Sequence, residues 1–107
     1  MVTIGFSTQE WKQVCIRYEA AQAHFDSAQV ATDLMTFLAE AEAIEDAAAL
    51  LEFRDGQNTE GDSLSFPISS NYRATLIAVG KEPKRDENGE IEWGSVQHMM
   101  LVEIIKC

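Results

Sequence analysis

Val2, Ile4 and Phe6 alternate with small or polar residues at the head of the chain, a period of two that predicts a short strand with one buried face. Ser7 follows, with Glu10 three positions later, a pairing that satisfies two orphan amides as a capping box. Trp11, Val14, Tyr18, Ala21 and Phe25 then recur at alternating spacings of three and four, so a helix is expected from Thr8 to His24. A second seam reads Val30, Leu34, Phe37, Ala41, Ile44, Ala48 and Leu51. Extending the first seam past Phe25 lands on Ala28 and Thr32, so the two are out of phase and a break is expected near Asp26 and Ser27. Asp26 is then the cap of the second helix, with Gln29 at the box position. That helix either runs on to Phe53 or breaks at Asp46, itself a good N-cap for a short third helix.

Beyond the polar stretch "RDGQNTEGDS" the pattern turns to strands: "LSFPI", "YRATLIAV", "EIEW" and "VQHMMLVEII". Asn88-Gly89 is the strongest local hairpin signal, since both residues tolerate the positive φ of a type I′ turn. In "YRATLIAV" and "HMMLVEII" apolar residues fall on both alternating faces. That is the pattern of central strands covered on two sides, or by helices on one side and a partner on the other. The reading is an α+β fold in one compact domain over residues 1–107: an N-terminal strand and two helices, or three, packed on a C-terminal antiparallel sheet of three to four strands.

Charge adds a second layer. Eighteen acids against eight Lys and Arg give a net charge of -10, a field that repels phosphate backbones and anionic lipid, so direct nucleic-acid or membrane binding is disfavoured. Residues 1–53 hold nine acids and two bases, and between Arg17 and Arg54 no base occurs. On a helical wheel Asp33 and Glu40 lie on one flank of the second seam, Glu45 and Glu52 on the other, and Glu42 and Asp46 at the back. These acids make no single stripe. A solvated helical face and a surface for a basic partner both fit them, with Glu19, Asp33, Glu40, Glu42, Glu45 and Asp46 as the partner-binding candidates.

Residues that carry chemistry are sparse. His24 and His98 have no companions at ligand spacing, and Cys15 and Cys107 make no CxxC, so no metal or cofactor is implied. The cysteine usage, with no signal-like segment at the N-terminus, fits a reduced cytoplasmic setting. Cys15 sits by the Trp11 face and reads as a small buried hydrophobe, Cys107 as exposed. Lys81, Lys84 and Arg85 form the basic cluster of the hairpin tip, largely neutralised by Asp86, Glu87 and Glu90. No nucleotide-binding or nucleophile-elbow motif occurs, and no catalytic residue is nominated.

The order of a strand, two helices and a terminal antiparallel sheet containing "NYRATLIAV" resembles that of small RelE-type ribonuclease toxins. Such a resemblance would imply roles for Arg73, His98 or Lys106 on RNA. The chain departs from those toxins in lacking their motifs and their basic surface. Three function classes follow. The first is a non-enzymatic acidic protein binding a basic protein surface, similar in size and charge to small inhibitors, immunity proteins and nucleic-acid mimics of bacterial or phage origin. The second is a small ligand-binding domain or enzyme with a pocket between helices and sheet near Tyr72, Arg73 and His98. The third is a self-associating domain, a homodimer paired through a sheet edge or an apolar seam.

Overall fold

The computed structural model describes residues 2–59, 62–80 and 83–106, and among them the fold is α+β. Strand β1 (Thr3–Phe6) leads into four helices, α1 (Gln9–Ile16), α2 (Tyr18–Phe25), α3 (Ala28–Ala43) and α4 (Ala47–Phe53). The strands β2 (Gln57–Asn58), β3 (Ser63–Ser69), β4 (Tyr72–Ala78) and β5 (His98–Lys106) follow, with a 3₁₀ turn at Trp93–Ser95 before the last. The five strands form one mixed sheet in the order β1-β5-β4-β3-β2. The expected antiparallel set is present as β3, β4 and β5, but β1 joins it parallel to β5, with Thr3 opposite His98 and Phe6 opposite Leu101.

Each helix boundary has a local cause. Thr8, one residue later than the expected Ser7, is the first N-cap, its Oγ1 accepting from the Trp11 amide at 3.1 Å. Ser7 lies in the bend after β1 and donates its hydroxyl to the Val102 carbonyl at 3.1 Å, which ties the end of β1 to β5. The helix expected from Thr8 to His24 is two helices, because Arg17 adopts extended backbone at φ -125° between them. Asp26 caps the C-terminus of α2 in the left-handed region at φ 51°, so it does not start α3; Ser27 does, accepting from the Val30 amide.

The long second helix breaks where Asp46 accepts from the Ala49 amide at 2.9 Å. The break shifts the buried seam by one residue: α4 buries Ala47 and Leu50, while Ala48 is exposed and Leu51 only half-buried. The four helices thus replace the expected two or three.

One hydrophobic core joins the layers. Leu64, Phe66 and Ile68 of β3, Ala74 and Leu76 of β4, and Met99, Leu101 and Ile104 of β5 are buried on the face that meets the helices. The helical side of that contact comes largely from Val30, Ala31, Leu34, Phe37 and Ala41 of α3, with the Phe37 and Phe66 rings 5.5 Å apart. At one end of the molecule Trp11, His24, Phe25 and Tyr72 form a chain of ring contacts at 5.4, 4.7 and 4.9 Å from α1 to β4.

The segment between β4 and β5 departs from expectation. "EIEW" is not a ladder strand: Ile91 makes one isolated bridge to Arg85, and Trp93 opens the 3₁₀ turn. Asn88-Gly89 is at a tight turn, but positive φ occurs at Gly89 alone, at 80°. Asp86 organises that turn, its backbone amide donating to the Glu90 carbonyl and its Oδ1 accepting from the amides of Asn88 and Glu90. This is a three-residue hairpin connection ending in a glycine bulge, not the two-residue I′ form. Ile91 and Val96 fold back into the core, where the Val96 carbonyl accepts from the Ala47 amide and holds the start of α4.

Candidate functional site

The helical layer carries most of the charge. Residues 18–55 contain nine acids against Arg54 alone, a net -8 of the total -10. Within this layer the nominated acids divide into two groups. Asp33 accepts from Gln29 Nε2 at 2.8 Å, one helical turn away. Glu40 accepts from Arg54 Nη1 at 3.0 Å, and Asp46 is committed to capping α4. These three are half-buried, whereas Glu19, Glu42 and Glu45 are exposed, together with Asp26, Glu52 and Asp55.

Arg54 explains part of the base-free run. It caps α4 and folds back over the layer, donating Nη1 to Glu40 and Nη2 to the Pro67 carbonyl at 3.2 Å. Its guanidinium carbon lies 5.3 Å from the centre of the Phe37 ring. One arginine therefore neutralises a carboxylate of α3, joins α4 to β3 and covers a core aromatic. Sequence reading missed this role, since a partner fourteen positions away lies outside any helical spacing.

Tyr72, Arg73 and His98 are not brought together. Tyr72 faces the helices and packs on Phe25, while Arg73, the next residue, lies on the opposite face of the sheet. His98 starts β5 opposite Thr3, at the far end from Tyr72, which pairs with Lys106. At about 3.3 Å per residue, His98 and Lys106 stand roughly 25 Å apart along β5. Arg73, His98 and Lys106 therefore share no reaction centre. A groove of about 840 Å³ opens beside His98, lined by Ala78, Gly80, Pro83, Gly94, Val96 and other residues of that end. Its described ionisable groups are Lys84 and His98. Lys81 of the expected basic cluster lies outside the described residues.

Among the described residues no three His, Cys, Asp or Glu side chains are placed to hold a metal, and no helix is long and apolar enough to cross a membrane. Cys15 is a buried free thiol whose ionisation burial pushes up to about 12, which leaves it protonated and a poor nucleophile. Cys107 lies outside the described residues. Arg85 is occupied by Asp62 through paired contacts at 3.2 and 2.9 Å, and that hydrogen bonding holds the Asp62 carboxyl below its usual range.

The second face of the sheet is the other distinct surface. Arg73, Thr75 and Ile77 of β4, Met100, Val102 and Ile105 of β5, and Pro67 of β3 occupy the positions alternate to the core-facing ones, while Ser65 on the same face is itself buried. No described helix lies over them. Ile105 is 48% exposed, and a Cβ added at Gly5 on the same face would meet only the Met99 carbonyl, at 3.9 Å. Arg73 bends across β3, its Nε donating to Ser65 Oγ at 2.7 Å and its Nη2 to the Ser65 carbonyl at 3.2 Å. Comparison of the chain with protein families, with curated proteins and with solved structures gives no match.

Proposed function

We propose that this is a non-enzymatic interaction protein, of the inhibitor, immunity or nucleic-acid-mimic kind, whose acidic helices bind a basic surface on another protein. The supporting observation is the concentration of net charge -8 in residues 18–55, with six of the nine acids exposed. A field of that sign accelerates encounter with a cationic surface and orients it, with little dependence on the individual pairs. Because Asp33, Glu40 and Asp46 are half-buried whereas Glu19, Glu42 and Glu45 are exposed, the contact set centres on the latter three, and a cytoplasmic setting goes with this reading.

The test is affinity capture from a bacterial lysate at low and high salt, followed by titration of the purified partner. Binding should weaken steeply with salt, and the triple variant E19Q/E42Q/E45Q should weaken it further, by roughly tenfold. E40Q should leave the affinity nearly unchanged, because that carboxylate is engaged by Arg54. Recovery of no salt-sensitive partner with a basic surface overturns the reading.

A further inference from the structure

We infer that the open face of the sheet is a self-association surface, on which a second copy of this chain packs face to face. Three observations carry this beyond the acidic-surface reading. Antiparallel sheets that face water on one side normally turn polar residues outward. Here the outward positions of the central strands β4 and β5 include Ile77, Met100, Val102 and Ile105. Ile77 pairs with Met100 beside Val102, and Ile105 lies opposite Arg73, beyond the intervening Thr75–Glu103 pair.

The second observation concerns which partner fits. With a net -8 in residues 18–55 of the helical layer on the other side, a copy approaching that layer meets repulsion, whereas the open face of β3, β4 and β5 carries one Arg and one Glu beside the ring of His98. A foreign partner selected by positive charge goes to the helices. Two copies joined through their sheets keep both acidic layers outward, a two-layer unit from each side enclosing an apolar middle about 10 Å thick.

The third is self-complementarity. Glu103 sits opposite Thr75, two residues along β4 from Arg73, so the two charges are diagonal neighbours on this face. They are not paired: Arg73 is turned onto Ser65, and Glu103 is exposed with no ion pair among the described residues. A two-fold axis parallel to the sheets and passing between these positions sets Arg73 of each copy over Glu103 of the other. Both pairs then form at once, with the apolar side chains flanking them.

Sedimentation equilibrium across a concentration series tests this. The wild type is expected to dimerise, and Ile105→Glu, at an exposed position whose change spares the core, should raise the dissociation constant by about tenfold or more. Glu103→Arg and Arg73→Glu should each do likewise, through two like-charge contacts per dimer. Mixing the two single variants should restore association as a heterodimer, because each copy then supplies the charge the other lacks. Circular dichroism establishes that each variant is folded. A wild type that stays monomeric to high micromolar concentration overturns the inference, including where a different protein is found on this face. So does a dimer indifferent to Ile105→Glu and to the charge reversals. Loss of lysate partners by E19Q/E42Q/E45Q with the dimer intact separates this surface from the acidic one.

Discussion

Arg54 and Glu40 meet at 3.0 Å with both side chains largely withdrawn from water, 21% and 32% exposed, and they fasten α4 to α3. Pairs in this environment gain from reduced screening, and breaking one by removing a single partner leaves the other charge poorly solvated. Arg54→Ala also forfeits the Pro67 contact and the cover on Phe37. A loss of about 2–3 kcal/mol in urea unfolding is expected, against about 1 kcal/mol for Glu40→Gln, which keeps a hydrogen-bond acceptor.

Asp46 has a role that its sign of charge conceals. Its carboxylate accepts from the Ala49 amide at the start of a seven-residue helix, so Asp46→Ala should cost about 1 kcal/mol and Asp46→Asn a few tenths. Urea midpoints for the two variants check the order. A partner-binding role alone would leave both midpoints unmoved.

Gly56 is held by packing. A Cβ there would stand 2.5 Å from Cε1 of the buried Phe66 ring and 2.8 Å from Cδ2 of Leu51, and the ring has no room to retreat. Gly56→Ala is expected to destabilise by about 1–3 kcal/mol, as overpacking does, measurable as a fall in thermal midpoint. Gly89→Ala, with open space around it but φ at 80°, should cost less, by about 1 kcal/mol, and through backbone strain alone.

Cys15 predicts an alkaline limit. In the folded state its thiol holds its proton to about pH 12, whereas the unfolded thiol releases it near 9.0. Above pH 9 the unfolded chain therefore binds fewer protons than the folded one, and stability falls as pH rises through that window. Replacing Cys15 by Ala should flatten the decline between pH 9 and 12. Thiol reagents at neutral pH should leave the folded Cys15 unmodified and label it on addition of denaturant.

The legible part of this fold is that written in short-range spacing. The seam Val30, Leu34, Phe37 and Ala41 is buried as its three-four rhythm requires, and "LSFPI", "YRATLIAV" and "HMMLVEII" are strands. Arg17 was illegible because the spacing from Trp11 to Phe25 runs through it unbroken, and one extended residue re-aims the chain without a Gly or Pro to mark it. At Asp46 the capping signal was visible, but its consequence, the shift of burial from Ala48 and Leu51 to Ala47 and Leu50, depends on how the next helix docks. The parallel pairing of β1 left no local trace, since its hydrogen-bond partners lie almost a full chain length away.

Among the candidate residues, composition identified the acidic field but not its division of labour. Nothing in "AEAEAIEDAAALLEF" distinguishes Glu40, held by an arginine, from Glu42, open to water. The apolar outward positions of β4 and β5 were visible as runs apolar on both faces; which side lacked a cover became readable only once the helices were placed on the other.

The link from Ser7 to Val102 spans 95 positions, and it bears on how the chain comes to be folded at all. The helices and the β3–β4 hairpin close over short distances, but β1 pairs only with β5, so its ladder cannot form until the far strand has been synthesised. Ile4 and Phe6 are synthesised 95 positions ahead of their strand partners Met99 and Leu101. The sheet is therefore completed only when β5 reaches β1, and a nascent chain stalled before His98 holds a strand whose ladder partner does not yet exist.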